Sequence, residues 1–339
     1  MDKVQTRASS PLAALVLSAG YGTRMGSLGK LLPKPLWPLG HKSLLEFVLI
    51  LAQQQGLKPL WVNLHHQKDL IGSRLAKLPF KVQSSVEPQL LGSGGGVHQV
   101  LALSQQQGSL PPYLALLNSD QVVWFKENPW PLLRRKIGDA RAVLLAIRVK
   151  ANSGFNRLVV QDGCLQEIIK YEMDANRPAE YLTYLGMGLL NTSGLKILPP
   201  QVSAFFATVA NFKQEKVLVL EVRPELYFDL GTLANFWHSF WQILRLVKNR
   251  PDLALSKFLV EQHFINPALL RGAEDKLYYG LGEIGDEVPY AANLTATSKQ
   301  FKAPALVLDD TGMVDMAGPS PEIISQTGIY LGSTWAKPL

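Results

Sequence analysis

Cysteine occurs once in this chain, at Cys164, so no disulfide can close within it, and a lone thiol accords with a reducing compartment. Charge is also sparse: 18% of the 339 residues are charged against 47% hydrophobic, a balance that excludes intrinsic disorder. With 27 glycines and a single cysteine, the chain is neither collagen-like nor a disulfide scaffold. Long apolar runs are missing as well. Leu44–Ala52 is interrupted by Glu46 and falls short of the roughly 20 residues that a bilayer requires. Lys3 and Arg7 precede an apolar stretch, Pro11–Ala19, in the manner of a signal peptide. Its hydrophobic part, Leu12–Leu17, is only strand-sized and runs into a Gly-rich turn, so a soluble, cytoplasmic protein without membrane insertion is the expectation.

What is present is a modest excess of positive charge. Lys and Arg number 34 and Asp and Glu 27, for a net +7, which favours an anionic partner. The basic triplet Arg134, Arg135 and Lys136 reads as a solvated helix face, and no interleaving of aromatic and basic residues points to nucleic acid. His65 and His66 are adjacent, point apart, and have no Cys or carboxylate cluster to complete a metal site. His98 reads as a helix-surface residue. A homo-oligomer is left open.

Strand-like and helix-like segments alternate over the first two-thirds. Leu12–Leu17, Leu60–Leu64, Phe80–Val86 and Tyr113–Asn118 read as strands; Leu44–Gln55, Lys68–Leu78 and Gly96–Gln107 read as helices. That alternation implies crossover units and a mixed, mostly parallel sheet in an α/β sandwich. Between Arg141 and Leu190 the strands crowd together, as an antiparallel insertion would. Leu233–Lys248 reads as a helix rich in aromatics, and a break follows at Asn249–Pro251. The division expected is residues 1–248 and a small β-rich region, 249–339. For the latter, a short left-handed β-helix and an irregular β cap stand even, since no clean hexapeptide period is visible.

The chemistry concentrates in Leu17–Leu36, LSAGYGTRMGSLGKLLPKPL. Gly20 and Gly22 permit tight turns that aim several N–H groups at one point, an arrangement suited to phosphate oxygens. A dinucleotide fingerprint would need Gly at Met25, and a P-loop would need Gly at Arg24 and Ser or Thr at Leu31; both fail. What remains is a glycine turn containing Arg24, then Lys34 held between Pro33 and Pro35. Such flanked, pre-positioned cations suit the charge of a leaving pyrophosphate.

This stretch resembles the signature of the sugar-1-phosphate nucleotidyltransferases: an A-G-x-G-T-R-M core at Ala19–Met25, P-K-P-L at Pro33–Leu36, then Lys42 and Glu46. Ser18 stands where Ala is usual. The resemblance implies a Rossmann-like sandwich and assigns Ala19, Gly20, Gly22 and Thr23 to the nucleotide and Arg24 and Lys34 to catalysis. In Glu87–Val97 (EPQLLGSGGGV), Gly94 and Gly95 would let a planar base approach the backbone. Asp120, after the strand Tyr113–Asn118, and Asp229, in YFDLGT, match the pair that holds Mg²⁺ in the family. Lys170 and Gly186 fall on the sugar-phosphate side, with Lys170 and Tyr171 where the family has Glu and Lys.

The implied reaction joins a nucleoside triphosphate, UTP or GTP, to a sugar-1-phosphate. It yields an NDP-sugar and pyrophosphate by in-line attack on the α-phosphorus. The L-x-S-G-G-G-V wording is most similar to N-acetylmuramate α-1-phosphate uridylyltransferases of the cell envelope. Mannose- or heptose-1-phosphate guanylyltransferases are the alternative, and a non-catalytic, nucleotide-sugar-binding regulatory subunit is the alternative of another class.

Overall fold

The computed structural model describes residues 12–172 and 178–272 and, beyond these, a set of strands between Leu277 and Ala336. A nine-stranded mixed sheet forms the centre. Its order is Gln83–Val86, Leu57–Leu64, Leu12–Leu17, Tyr113–Asn118, Glu180–Asn191, Ala142–Lys150, Val217–Glu221, Cys164–Ile169, Arg157–Gln161. The first four strands are parallel, as crossover units require. Glu180–Asn191 then runs antiparallel to both its neighbours. At the far end Leu158 pairs with Leu182, so the antiparallel hairpin curls back on the long strand. This is the expected antiparallel insertion.

The alternation of the first strand divides the core. Leu12, Ala14 and Val16 face helices Leu44–Gln54, Trp130–Lys136 and Leu233–Asn249. Ala13 and Leu15 face helix Gly92–Gln106 and the short helix Phe205–Thr208. Helix Leu44–Gln54 starts at a capping box in which Ser43 and Glu46 each satisfy the other's backbone N–H. No described helix is long and apolar enough to cross a membrane.

Helix Gly92–Gln106 begins four residues before the expected Gly96, so the three glycines lie inside its first turns. Helix propensity argues against this. Tertiary packing overrides it, because added Cβ atoms on Gly94 and Gly95 would lie 2.6 Å from the Ala204 carbonyl and 2.2 Å from the Gln201 carbonyl. His98 is fully buried, not on the surface. It accepts from the Leu198 N–H at 3.3 Å and its Nε2 lies 3.2 Å from the Thr208 carbonyl, while burial holds its pKa below the usual value.

After Asn249 the chain forms one more helix, Ala254–Glu261, before the strands. From Leu277 it alternates between two parallel sheets. Leu277–Tyr279, Tyr290–Asn293, Ala305–Leu308 and Gly328–Leu331 form one; Glu283–Ile284, Gln300–Phe301 and Ile323–Ile324 form the other. Antiparallel strands Leu270–Arg271 and Thr334–Ala336 flank the larger sheet. Leu277, Tyr279, Leu306 and Ile329 share one continuous core with Trp37, Leu39 and Phe264.

The docking point is Gly40. Its φ is +76°, and an added Cβ would lie 1.9 Å from the Phe264 carbonyl oxygen, which accepts the His41 N–H at 2.7 Å. Gly40→Ala is therefore expected to destabilise the protein by about 3 kcal/mol, through backbone strain and a lost hydrogen bond. A urea unfolding midpoint equal to wild type would show that the chain after Asn249 is not held here.

Candidate active site

The site forms where the parallel strands end, the edge at which open α/β sheets bind ligands. Register places Leu17 between Asn63 and Asn118, so the segments that follow all three strands meet at one rim. Between them lies a cavity of about 420 Å³, walled by Ser18–Arg24, Lys34, Asn63, Gly92, Ser93 and Asn118–Asp120. That volume is within the range of small-ligand sites.

Gly22 occupies the left-handed region (φ 62°, ψ 29°) and turns the chain into the short helix Thr23–Met25, locked by a 2.8 Å bond from the Met25 N–H to the Gly22 carbonyl. Buried Met25 anchors this turn, leaving Arg24 exposed at the mouth. Ala19, Gly20, Gly22 and Thr23 all line the cavity. Lys34 opens a second short helix behind Pro33, where the Leu36 N–H bonds to the Pro33 carbonyl at 2.8 Å. This pins the backbone of Lys34, which is only 8% exposed. Its ammonium donates to the Asp120 carboxylate, and the Arg24 guanidinium stands 3.9 Å from the same oxygen.

Asp120 and Asp229 are brought together by a two-stranded ribbon. Gln121–Trp124 pairs antiparallel with Leu226–Asp229, Asp229 lies opposite Gln121, and the Leu230 N–H donates to the Asp120 carbonyl at 3.0 Å. Asp229 accepts from the Gly231 N–H at 3.0 Å and from the Asn235 side-chain amide. Burial raises its pKa above the ordinary carboxylate value, and the nearby negative charge of Asp120 adds to this; Asn235, Gly231 and Lys34 oppose it. A Cβ on Gly231 would lie 2.8 Å from Asp229 Oδ1, 3.3 Å from Lys34 Nζ and 3.6 Å from Asp120 Oδ2. Three functional groups thus surround one residue that has no side chain.

Several contributors are not legible as site residues in the sequence. Asn63 Oδ1 accepts the Ser18 N–H and its amide donates to Glu87 Oε1, both at 2.8 Å. Glu87 also accepts from the Leu91 N–H at 2.9 Å, and burial raises its pKa. This network ties the glycine turn to the start of helix Gly92–Gln106. The signal for Asn63 is an amide inside the apolar run Val62–Leu64. His65 bonds to the Glu87 carbonyl and the Tyr21 hydroxyl, each at 3.0 Å, and so fixes Tyr21 at the cavity mouth. Asn235 is concealed by its position three residues after the Thr232 cap, where only its backbone N–H would be expected to act.

Three expectations are placed differently. Gly94 and Gly95 pack under Gln201–Ala204, and the cavity wall there is Gly92 and Ser93. Lys170 follows the Cys164–Ile169 strand at an exposed position and does not line the cavity. Gly186 does not itself line the cavity; an added Cβ there would lie 2.6 Å from Gln121 Oε1 and 2.9 Å from Nδ2 of the wall residue Asn118.

Residues 14–173 match the model of the MobA-like NTP transferase domain. The D-glycero-alpha-D-manno-heptose 1-phosphate guanylyltransferase of Campylobacter jejuni is 23% identical over 238 residues, covering 67% of this chain and 98% of that protein. The bifunctional protein GlmU of Rhodopseudomonas palustris is 30% identical over 259 residues; these cover 76% of this chain but only 54% of that protein. Among solved structures, HddC from Yersinia pseudotuberculosis superposes with a TM-score of 0.58 at 16% identity, over 68% of this chain and 99% of that one. The same protein complexed with GMP-PN gives a TM-score of 0.57.

Proposed function

We propose that this chain, whose residues 14–173 match the MobA-like NTP transferase domain and whose relatives include heptose- and mannose-1-phosphate guanylyltransferases, joins a nucleoside triphosphate and a sugar-1-phosphate into an NDP-sugar. The observation that carries the reading is the convergence of Lys34, Asp120 and Asp229 around Gly231, beside a glycine turn lining the same cavity. The match along nearly the whole length of a heptose-1-phosphate guanylyltransferase supports GTP and a heptose- or mannose-type 1-phosphate. Uridylyl transfer to N-acetylmuramate 1-phosphate rests instead on the wording of Leu91–Val97. Triphosphate substrates support a cytoplasmic location.

In the proposed reaction an oxygen of the sugar-1-phosphate attacks the α-phosphorus. A new P–O bond forms as the bond to pyrophosphate breaks, and the pyrophosphate carries away the displaced electron pair. No protein nucleophile is needed, and Cys164 is assigned none. The N–H groups of the Gly20–Arg24 turn receive phosphate oxygens, and Arg24 and Lys34 neutralise charge on the departing group.

The donor set fits a magnesium ion. Asp120 and Asp229 supply hard carboxylate oxygens, and Asp120 Oδ1 is buried without a hydrogen-bond partner. Among the described residues no group of three or more His, Cys, Asp or Glu gathers as a metal site, so phosphate and water would complete the coordination. When bound, such an ion supplies Lewis-acid stabilisation of phosphate charge.

A pyrophosphate-release screen tests the reading, crossing GTP, UTP, ATP, CTP and dTTP with mannose-, heptose-, glucose- and N-acetylmuramate 1-phosphates in Mg²⁺. GTP with one of the first two sugars is the expected pair; silence with every pair would remove the proposal. Lys34→Ala should lower kcat about 100-fold, the scale of losing one preorganised charge, with a smaller change in the KM for the sugar phosphate.

A further inference from the structure

The arrangement of charge around Asp120 carries a consequence for how the site is loaded. Lys34 is 8% exposed, and its ammonium is committed to Asp120 Oδ2. The second oxygen, Asp120 Oδ1, is buried and has no hydrogen-bond partner. Arg24 stands over the same carboxylate at 3.9 Å, with a side chain 67% exposed. Asp120 therefore has one oxygen occupied by a cation of the protein and the other shut off from solvent. The other carboxylate is differently held. Asp229 is fixed by the Gly231 N–H and by Asn235, neither of which carries a charge.

Resting on the nucleotidyltransferase reading, we propose that Lys34 is an internal stand-in for the divalent cation: in the ligand-free protein it holds Asp120 closed, and a bound triphosphate opens it by drawing the ammonium away. The physical reason is the cost of a buried charge without a counter-ion. In the free protein Asp120 is the ion pair of Lys34, so a metal ion on either oxygen meets the like charge of the ammonium. A polyphosphate at the glycine turn supplies a replacement anion for Lys34, and Asp120 is then released to a divalent cation. Affinities for metal and triphosphate are consequently coupled, and by linkage the coupling is equal in both directions. Arg24 contributes less to it, because its longer separation and exposure leave it hydrated.

The test measures Mn²⁺ binding by the intact protein, using the electron paramagnetic resonance signal of free Mn²⁺, with no turnover involved. Wild type alone should bind Mn²⁺ weakly. A saturating non-hydrolysable triphosphate analogue should tighten binding at least tenfold beyond the analogue's own affinity for Mn²⁺. Lys34→Met, which keeps the length of the stem and removes the charge, should bind Mn²⁺ at least tenfold more tightly than wild type without nucleotide. It should also show little further gain when the analogue is added. Lys34→Gln gives a second reading should the methionine variant fold poorly, and Arg24→Ala should change the affinity less than threefold. Lys34 variants that bind Mn²⁺ no better than wild type, while the wild-type protein gains affinity with the analogue and releases pyrophosphate, would overturn the stand-in and leave the enzyme assignment intact. A wild-type protein that binds no Mn²⁺ with or without the analogue, and shows no pyrophosphate release, would end both.

Discussion

Asp120→Asn is expected to lower kcat about 1,000-fold with the best substrate pair, the largest loss of any single substitution in this site. The amide matches the carboxylate in shape, so the ribbon formed by Gln121–Trp124 and Leu226–Asp229 keeps its pairing, which depends on the backbone. What disappears is one of the two negative groups proposed to hold a divalent ion, together with the counter-charge of Lys34. Losing a preorganised electrostatic element costs about 10²- to 10³-fold in well-studied enzymes, and a metal carboxylate lies at the upper end. Burying Lys34 without its partner also lowers stability, so turnover is to be compared at a temperature where circular dichroism shows both proteins folded. Full activity in the folded variant would refute the metal assignment for Asp120.

The second large effect comes from a residue with no functional group. Gly231→Ala should reduce kcat/KM by about 100-fold while shifting the melting temperature by no more than a few degrees. Gly231 does not lie in the left-handed region, so alanine is compatible with its backbone. The added methyl group instead meets Asp229 Oδ1 at 2.8 Å, closer than a methyl contact tolerates, and Lys34 Nζ at 3.3 Å, a tight contact. Those atoms must move apart, and positional errors of about 1 Å at reacting groups cost on the order of 100-fold. Steady-state kinetics with a parallel thermal melt makes the check. An active Gly231→Ala enzyme would mean that Asp229 and Lys34 need not converge during the reaction. This prediction differs from the one for Gly40: there the obstacle is the Phe264 carbonyl and the cost appears in stability, whereas here it is the reactive groups and the cost appears in rate.

Much of this site was written locally. The phosphate turn and Lys34 lie within one short stretch, where glycine conformation, flanking prolines and a buried strand are all properties of neighbouring residues. The strand Tyr113–Asn118 placed Asp120 at a sheet edge for the same reason. Misplacements arose where distant segments decide. Gly94 and Gly95 suggested an open cradle because glycine lacks a side chain, and only the approach of Gln201–Ala204 shows that this absence serves packing. His98 reads as a surface residue until Leu198 and Thr208 are folded onto it. Lys170 follows a strand end, and which strand ends contribute to the cavity wall is settled only by the assembled sheet.

The amino-acid sequence alone determined the alternating α/β architecture and the glycine turn at Gly20–Arg24, because hydrophobic period and backbone freedom act between residues a few positions apart. Tertiary structure decided which charges meet. Asp229 reaches Asp120 through strand pairing, Asn63 and Glu87 brace the turn across the sheet, and Lys34 finds its carboxylate across 86 positions of chain. Electrostatic interaction depends on separation in space and on burial, and neither quantity exists until the chain has closed.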